Sequence, residues 1–469
     1  MIRAKCIKFP EPELIFSPDG TCTSPFPVSG LREFHPFDSK ISRKFSEIKP
    51  FIVTEKSYVK NIDVIWNDLV ESYSPPTNWQ NFDVAFPSFE TVFETKMSEI
   101  KEGENIRILG DFDGSNIDQK VDSAIREYLQ LFEKKTNNLL FIVLSREIGF
   151  LAMNNYFQLK KKCIDKNVVS QIIRPEITFN KIHEKWWGNF LWNLSSALYT
   201  KVGGIPWKMK PMKFGDCYLG LSFHLRKSSR IGPPEKRYVG LAEIFNKYGV
   251  GVDFTFCNAD VEDLTVTRSG FVLHLSAEKM YELIYRALDR FLQEIKEKGD
   301  LKNLIIHKTT TFDVNEIASV EKAVEDLGLS CKYAAISIKE MLSDVNVRTH
   351  RLYLTSTTKV ERGIFEKRSE QWGFLHSFFT EPPSNLTYPI PKRKGTDIPL
   401  EIRINPKSSC LDQLSIEDLS FQILGLTKMN WGSVDFRKEP VTLKFAKVAG
   451  EFVKEGIPVS RLTDIRHII

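Results

Sequence analysis

The sequence contains no CxxC pair. Its seven cysteines, Cys6, Cys22, Cys163, Cys217, Cys257, Cys331 and Cys410, are scattered and odd in number. That argues against a disulfide framework and a structural zinc site, and for a reducing compartment. No segment approaches the ~18 uncharged apolar residues of a membrane span. The opening stretch MIRAKCIKFPEPEL lacks the apolar core of a signal peptide, so a cytoplasmic location is expected. GxGxxG is missing too, which leaves a dinucleotide site without support. Internal repeats and low-complexity tracts are absent as well.

What is present describes a folded protein of more than one core. A chain of 469 residues is long for a single domain, so two or three are expected. Hydrophobic residues at 42% and charged residues at 27% exclude a disordered chain. The 34 phenylalanines point to large, well-filled cores. A formal net charge of +5 permits polyanion binding without proving it.

Three regions follow from the pattern. Residues 1–95 are rich in turns, as in SPDGTCTSPFPVSGLREFHPFD and ESYSPPTNWQNFDVAFPSFE, and read as an extended segment packing on other domains. Residues 96–207 alternate strand and helix. NIRILGDF, NNLLFIVLS and NVVSQIIR read as strands, the second a continuous apolar run of the buried parallel type. Between the first two, Ile117, Val121, Ala124, Ile125, Tyr128, Leu129 and Phe132 share one helical face. The region is therefore an α/β unit of Rossmann-like character, closed by the helix EKWWGNFLWNLSSALYTK with Gly203 at its C-terminal end.

From 208 to 469 the order changes. CYLGLSFHLRK, RYVGLAEIFNKYG and GVGVDFTFCN read as strands of an antiparallel meander. A helix capped by Ser276 follows, with Met280, Leu283, Ile284, Ala287, Leu288, Phe291 and Ile295 as its core stripe. Strand NLIIHKT, helix VNEIASVEKAVEDLG and strand KYAAISIKE complete the order of a ribonuclease H-like fold.

The residues that suggest chemistry lie near the end of the Rossmann-like unit. Tyr156 and Lys160 are four apart on a helix and share a face. Gln171 lies in the next strand, and Lys201 ends the following helix before two glycines. Two ammonium groups, an amide and a phenol would meet at the edge where open α/β sheets bind ligands. Lysines there act as point charges toward phosphate, and a tyrosine face can stack on a base. Each has an ordinary reading beside this one: a solvated lysine, a packing tyrosine.

Tyr-x3-Lys, then Gln in SQ, then Asn-x7-Lys-x-Gly-Gly resembles the MID domain of Argonaute proteins. The matching positions are Tyr156, Lys160, Gln171, Asn193 and Lys201. KVGGIPW resembles the junction from MID into PIWI, YLGLSFH the first PIWI strand, IIHKT a later one and PVTLKFAKVAGEF the C-terminal segment. GLREFHPFD is similar to a turn near the start of short prokaryotic Argonautes. The resemblance implies that MID anchors the 5′-phosphate of a guide and first base through those five residues. A further family lysine is Ala197 here. The resemblance also implies a Mg²⁺ beside the phosphate, held in part by the final carboxylate, here on Ile469. Trp207 reads as a packing anchor.

Slicing Argonautes cut with two metal ions held by carboxylates. The positions that match those ligands carry Ser222, Thr309 and Lys447, and Glu243 alone is not enough. His224 and His307 lie nearby and read as core histidines. An inactive ribonuclease H-like PIWI domain after a MID domain, in a chain without a PAZ domain, resembles the short prokaryotic Argonautes. That resemblance implies a guide RNA, a complementary DNA target, and a separate APAZ-bearing chain with a sirtuin-like or TIR NADase effector used in defence by NAD depletion. The chain itself would then be no enzyme. Two alternatives stay open: an active metal-dependent nuclease, disfavoured by Ser222, Thr309 and Lys447, and an interaction protein with a vestigial pocket. Basic loops in KWWGNF, LRKSSRIGPPEKR, NVRTHR and YPIPKRK could flank a duplex, though solvated loops explain them equally.

Overall fold

The computed structural model describes the chain apart from residues 1–4, 42–44, 80–82, 111–116, 133–136, 145–152, 175–185, 225–236, 242–243, 254, 260–263, 267–272, 296–300, 341–360, 379–397, 455–456, 458–460, 463 and 468. Glu243 and the last three of the basic loops lie wholly or almost wholly outside the described residues.

Two sheets organise the described residues. Lys5–Lys8 (β1) sits at the edge of the larger one. The smaller is all parallel: Glu47–Glu55 (β2) lies between Ile106–Leu109 (β3) and Asn138–Val143 (β4), and Ser170–Ile173 (β5) pairs with β4. Every residue of β4 is buried, as a strand covered on both faces requires. One face carries Val121, Ala124, Ile125 and Tyr128 of helix Ile117–Leu131. The other carries Ile62, Ile65, Trp66 and Leu69 of helix Val59–Val70 (α1), with Trp66 edge-on to Phe141 at 5.7 Å. The Rossmann-like unit therefore begins at Glu47 rather than at residue 96, and the segment before 95 supplies a strand at its centre. Pro50 inside β2 and the turn-rich flanks obscure this in the sequence. Pro50 pairs with Leu139 of β4 on one side and is tolerated because, on the other, it falls in the gap between the pairing of Glu47 and Ile48 with Lys96 and Met97 and that of Ile52–Glu55 with β3.

The helix Met153–Asp165 (α2) precedes β5, and Trp187–Lys201 (α3) closes the unit. Asp83 holds the N-terminal end of α3, accepting from Gly188 N at 3.1 Å and Asn189 N at 3.2 Å. A carboxylate there answers both the orphan amides and the positive end of the helix dipole. Gly188 has to be glycine, since a Cβ would fall 1.6 Å from the Val84 carbonyl oxygen.

The larger sheet has eleven strands among the described residues. Its centre is a parallel trio: Cys217–His224 (β6), Asn303–Lys308 (β7) and Lys332–Glu340 (β8). Arg237–Leu241 pairs antiparallel with β6 on one side. Leu400–Ile404, Trp372–Leu375 and Ile364–Ser369 extend the other, and β1 pairs with the last of these. Helices Ala277–Glu294 (α4) and Val314–Asp326 (α5) cover one face, packing on Leu219, Leu221, Leu304 and Ile306. Helices Ile416–Leu426 (α6) and Val441–Lys454 (α7) cover the other, packing with Tyr218, Ile305 and Ile336. This mixed sheet with helices on both faces agrees with the expected ribonuclease H-like order.

The N-terminal segment is pinned to this second unit. Lys428, fully buried, donates to the carbonyls of Pro12 at 2.7 Å and Pro25 at 2.8 Å and pairs with Glu11 at 2.8 Å. Burial works against the Glu11 carboxylate, but Arg362 and Lys428 outweigh it and hold it at about 2. Trp207 is buried with its indole nitrogen donating to Lys428 O at 3.1 Å, which makes it a packing anchor at the junction. All seven cysteines are free thiols. Among the described residues no helix is long and apolar enough to cross a membrane.

Candidate guide-anchoring site and the ribonuclease H edge

Of the five residues matched to the phosphate motif, Lys160 and Lys201 come together most closely. Lys160 projects from α2 and is 3% exposed; Lys201 ends α3 and is 1% exposed. The two ammonium groups are near enough for the charge of each to act on the other. Their acceptors are main-chain oxygens: Ser170 O takes a bond from Lys160 Nζ at 2.7 Å, Arg466 O one from Lys201 Nζ at 3.1 Å, and Ile469 O a shorter one from Lys201. Burial lowers Lys160 to about 8, and burial plus the Lys160 charge drives Lys201 well below the usual lysine range. Two desolvated like charges side by side are costly unless an anion meets them.

Tyr156 stands one helical turn before Lys160, half-buried, with Arg174 5.7 Å from its ring centroid and the Phe157 ring edge-on. Burial raises its phenol above the ordinary value, with Arg174 opposing. Gln171 is half-buried on β5 and spends one amide bond on Ile172 O at 3.1 Å. Asn193 is placed differently. Its amide oxygen accepts from Ser433 Oγ and Val434 N, both at 2.8 Å, and its amide nitrogen donates to Asp435 at 3.1 Å. In this structure Asn193 clamps α3 to the 433–435 turn. Ala197 is buried against the core.

The C-terminal segment adds groups that the motif did not include. Asp464 and Arg466 form a two-pronged ion pair, and His467 is buried beside both lysines. Burial works against the Asp464 carboxylate, but Arg466 holds it below its usual range; burial pushes His467 down to about 4.

Magnesium does not fit these groups as they stand. Ile469 O already faces the Lys201 ammonium, Asp464 is held by Arg466, and no group of three His, Cys, Asp or Glu among the described residues could hold an ion.

Two of the three positions matched to the cleavage ligands follow neighbouring residues of adjacent parallel strands. Leu221 on β6 lies opposite Lys308 on β7 in parallel register, so Ser222 and Thr309 follow side by side at the same strand edge. Helix α7, which carries Lys447, packs across β6. Thr309 is half-buried, and the Lys447 ammonium is paired with Glu439. A serine, a threonine and a paired lysine do not fit two divalent ions. His307 is fully buried, shares a 2.9 Å hydrogen bond with Thr442 Oγ1, and is kept neutral by burial, with its pKa lowered to about 3. It is a core histidine. Lys308 points to the opposite face, where it forms a fully buried ion pair with Glu316, itself bound to His274 at 3.1 Å.

No family model matches the chain. In sequence it is similar to the protein argonaute of Aquifex aeolicus strain VF5, at 25% identity over 316 residues, covering 66% of this chain and 38% of that relative. In structure it is similar to Clostridium butyricum Argonaute bound to a guide DNA and a 19-mer target DNA, with TM-score 0.65, 15% identity, and 97% of this chain and 53% of that one covered. It is also similar to Drosophila Piwi, with TM-score 0.63, 11% identity, and 99% and 56% covered. The chain thus spans little more than half the length of these solved structures and less of the curated relative. In fold, this chain is similar to Argonaute proteins over little more than half their length.

Proposed function

We propose that the chain anchors the 5′-phosphate of a guide strand on Lys160 and Lys201 and uses that guide to recognise complementary nucleic acid without cutting it. The observation that carries this reading is the buried lysine pair. Its two ammonium groups are faced by the main-chain oxygens of Ser170, Arg466 and Ile469 and, among the described residues, are bonded to no side-chain carboxylate, a concentration of buried positive charge suited to a phosphate. Tyr156, beside the pair and half-exposed, offers a ring for the first base, and Arg174 holds that ring from one side. Sequence is then read by base pairing, while the protein holds backbone.

The absence of cutting follows from Ser222, Thr309 and the Glu439-paired Lys447 at the ribonuclease H edge. We assign no step to a magnesium ion at the guide end; the lysines supply the charge a metal would. The resemblance to short prokaryotic Argonautes supports the finer parts of the proposal: a guide RNA, a DNA target, a cytoplasmic location and an APAZ-bearing NADase partner that guide–target pairing switches on.

Purification from a host that carries the neighbouring genes tests this reading. Short 5′-phosphorylated RNAs and an APAZ-bearing chain are expected to co-purify. Protein free of both nucleic acid and partner would move the weight to a vestigial pocket.

A further inference from the structure

We infer that Asp38 is a positioning residue for the anion site, holding Lys201 in place without touching the ligand; this rests on the guide-anchoring reading above. Lys201 is the last residue of α3, and the chain reverses directly after it. Gly203 takes φ +95°, Gly203 N donates to Thr200 O and Gly204 N to Tyr199 O, both at 2.9 Å. A carboxylate from a distant part of the sequence closes this reversal. Asp38 Oδ1 accepts from the Tyr199 phenol at 2.6 Å, and Oδ2 accepts from Ile205 N at 2.9 Å. One side chain thus bridges the helix two residues before Lys201 and the strand-side backbone four residues after it.

The rest of the N-terminal turn reinforces the bridge. Phe37 N donates to Pro206 O at 3.0 Å, and Lys208 Nζ lies over the Phe37 ring at 4.1 Å, where burial lowers its pKa against the opposing Asp38 charge. Tyr199 has little room to move: its ring packs on Phe93 at 5.0 Å and Phe45 at 5.7 Å, and a Cβ on Gly204 would come within 2.3 Å of it. Without the carboxylate, the phenol and the Ile205 amide lose their shared acceptor and the turn that aims Lys201 loosens. The acceptor is charged, so the bonds it receives are of the stronger class.

The test compares affinities for 5′-phosphorylated and 5′-hydroxyl strands of one sequence, using full-length protein, in Asp38→Ala, Tyr199→Phe and Lys201→Ala. Asp38→Ala is expected to lower the phosphate-to-hydroxyl preference by about tenfold, the combined positioning effect of the two bonds it accepts. Tyr199→Phe should lower it in the same direction by about threefold, since only one of the two bonds is lost. Binding of the hydroxyl strand should change by less than about twofold. An unchanged preference in both variants, with only the melting temperature reduced, overturns the inference. Should Asp38→Ala fail to fold, Tyr199→Phe decides alone. If Lys201→Ala also leaves the preference intact, the anchoring reading itself fails and takes this inference with it. If Lys201→Ala abolishes the preference while Asp38 and Tyr199 variants keep it, only the inference falls.

Discussion

Replacing Lys201 by alanine is expected to weaken binding of a 5′-phosphorylated strand by about 100-fold, and replacing Lys160 by somewhat less. The estimate follows from removing one partner of a desolvated, hydrogen-bonded charge pair, which costs about 2–5 kcal/mol. Lys201 has the larger expected effect because it is the more buried of the two and sits against the C-terminal segment as well as Lys160. A 5′-hydroxyl strand should lose far less, since no dianion meets the pair. Equal losses for both strands would remove the phosphate role.

The same pair sets the pH dependence. In the free protein burial lowers Lys160 to about 8 and, with the Lys160 charge, holds Lys201 well below its ordinary value. A bound phosphate favours the charged form, so both lysines titrate higher in the complex than in the free pocket. Binding energy from this source is fully present below the free-state value and is lost as pH rises through the bound-state value. Affinity for the phosphorylated strand should therefore fall as pH rises, the Lys160 contribution from about pH 8 upward, with proton uptake on binding, while the hydroxyl strand stays nearly flat. Titrations at pH 7 and pH 9 in two buffers of different ionisation enthalpy would measure both.

The second large effect is an absence of product. With a guide, a complementary target and Mg²⁺ or Mn²⁺, the target is expected to stay intact while bound. Two-metal hydrolysis needs carboxylates to hold the ions, and the edge supplies Ser222, Thr309 and a lysine already paired with Glu439. Metal-dependent fragments from the guided target, lost when the guide is omitted, would contradict this. The experiment also separates the proposed regulator from an irregular nuclease.

Much of the fold was legible because local pattern and tertiary role agree. The stripe from Met280 to Phe291 is buried as spaced, and Ser276 caps that helix through Lys279 N at 3.3 Å. The all-apolar β4 is a central parallel strand as its composition implies. The N-terminal region was harder to read. The spacing Ile62, Ile65, Trp66, Leu69 is helical and buried, but its twelve residues lie among turns that suggested no independent core. β2 carries a proline and belongs to a sheet whose other main strands lie far along the chain.

The site was legible only in part, for a related reason. Lys160 and Lys201 are separated by a strand and a helix, and no local pattern says that their ammonium groups meet; the ordered motif across both did. Asn193 matched that motif, yet its amide is engaged by the 433–435 turn, a contact with no trace in local sequence. Asp38 reaches Ile205 from 167 residues away, and Asp464, Arg466 and His467 come from the other end of the chain. Such groups are found by the fold alone.

The most direct test of the central claim is an equilibrium titration of the unaltered protein at pH 7 with two RNAs of one sequence, differing only in a 5′-phosphate. The account predicts a preference for the phosphorylated strand of about 100-fold, the value of a dianion meeting two desolvated ammonium groups. Equal affinities would show that the buried lysine pair does not hold a phosphate, and the guide-anchoring function would fall with it.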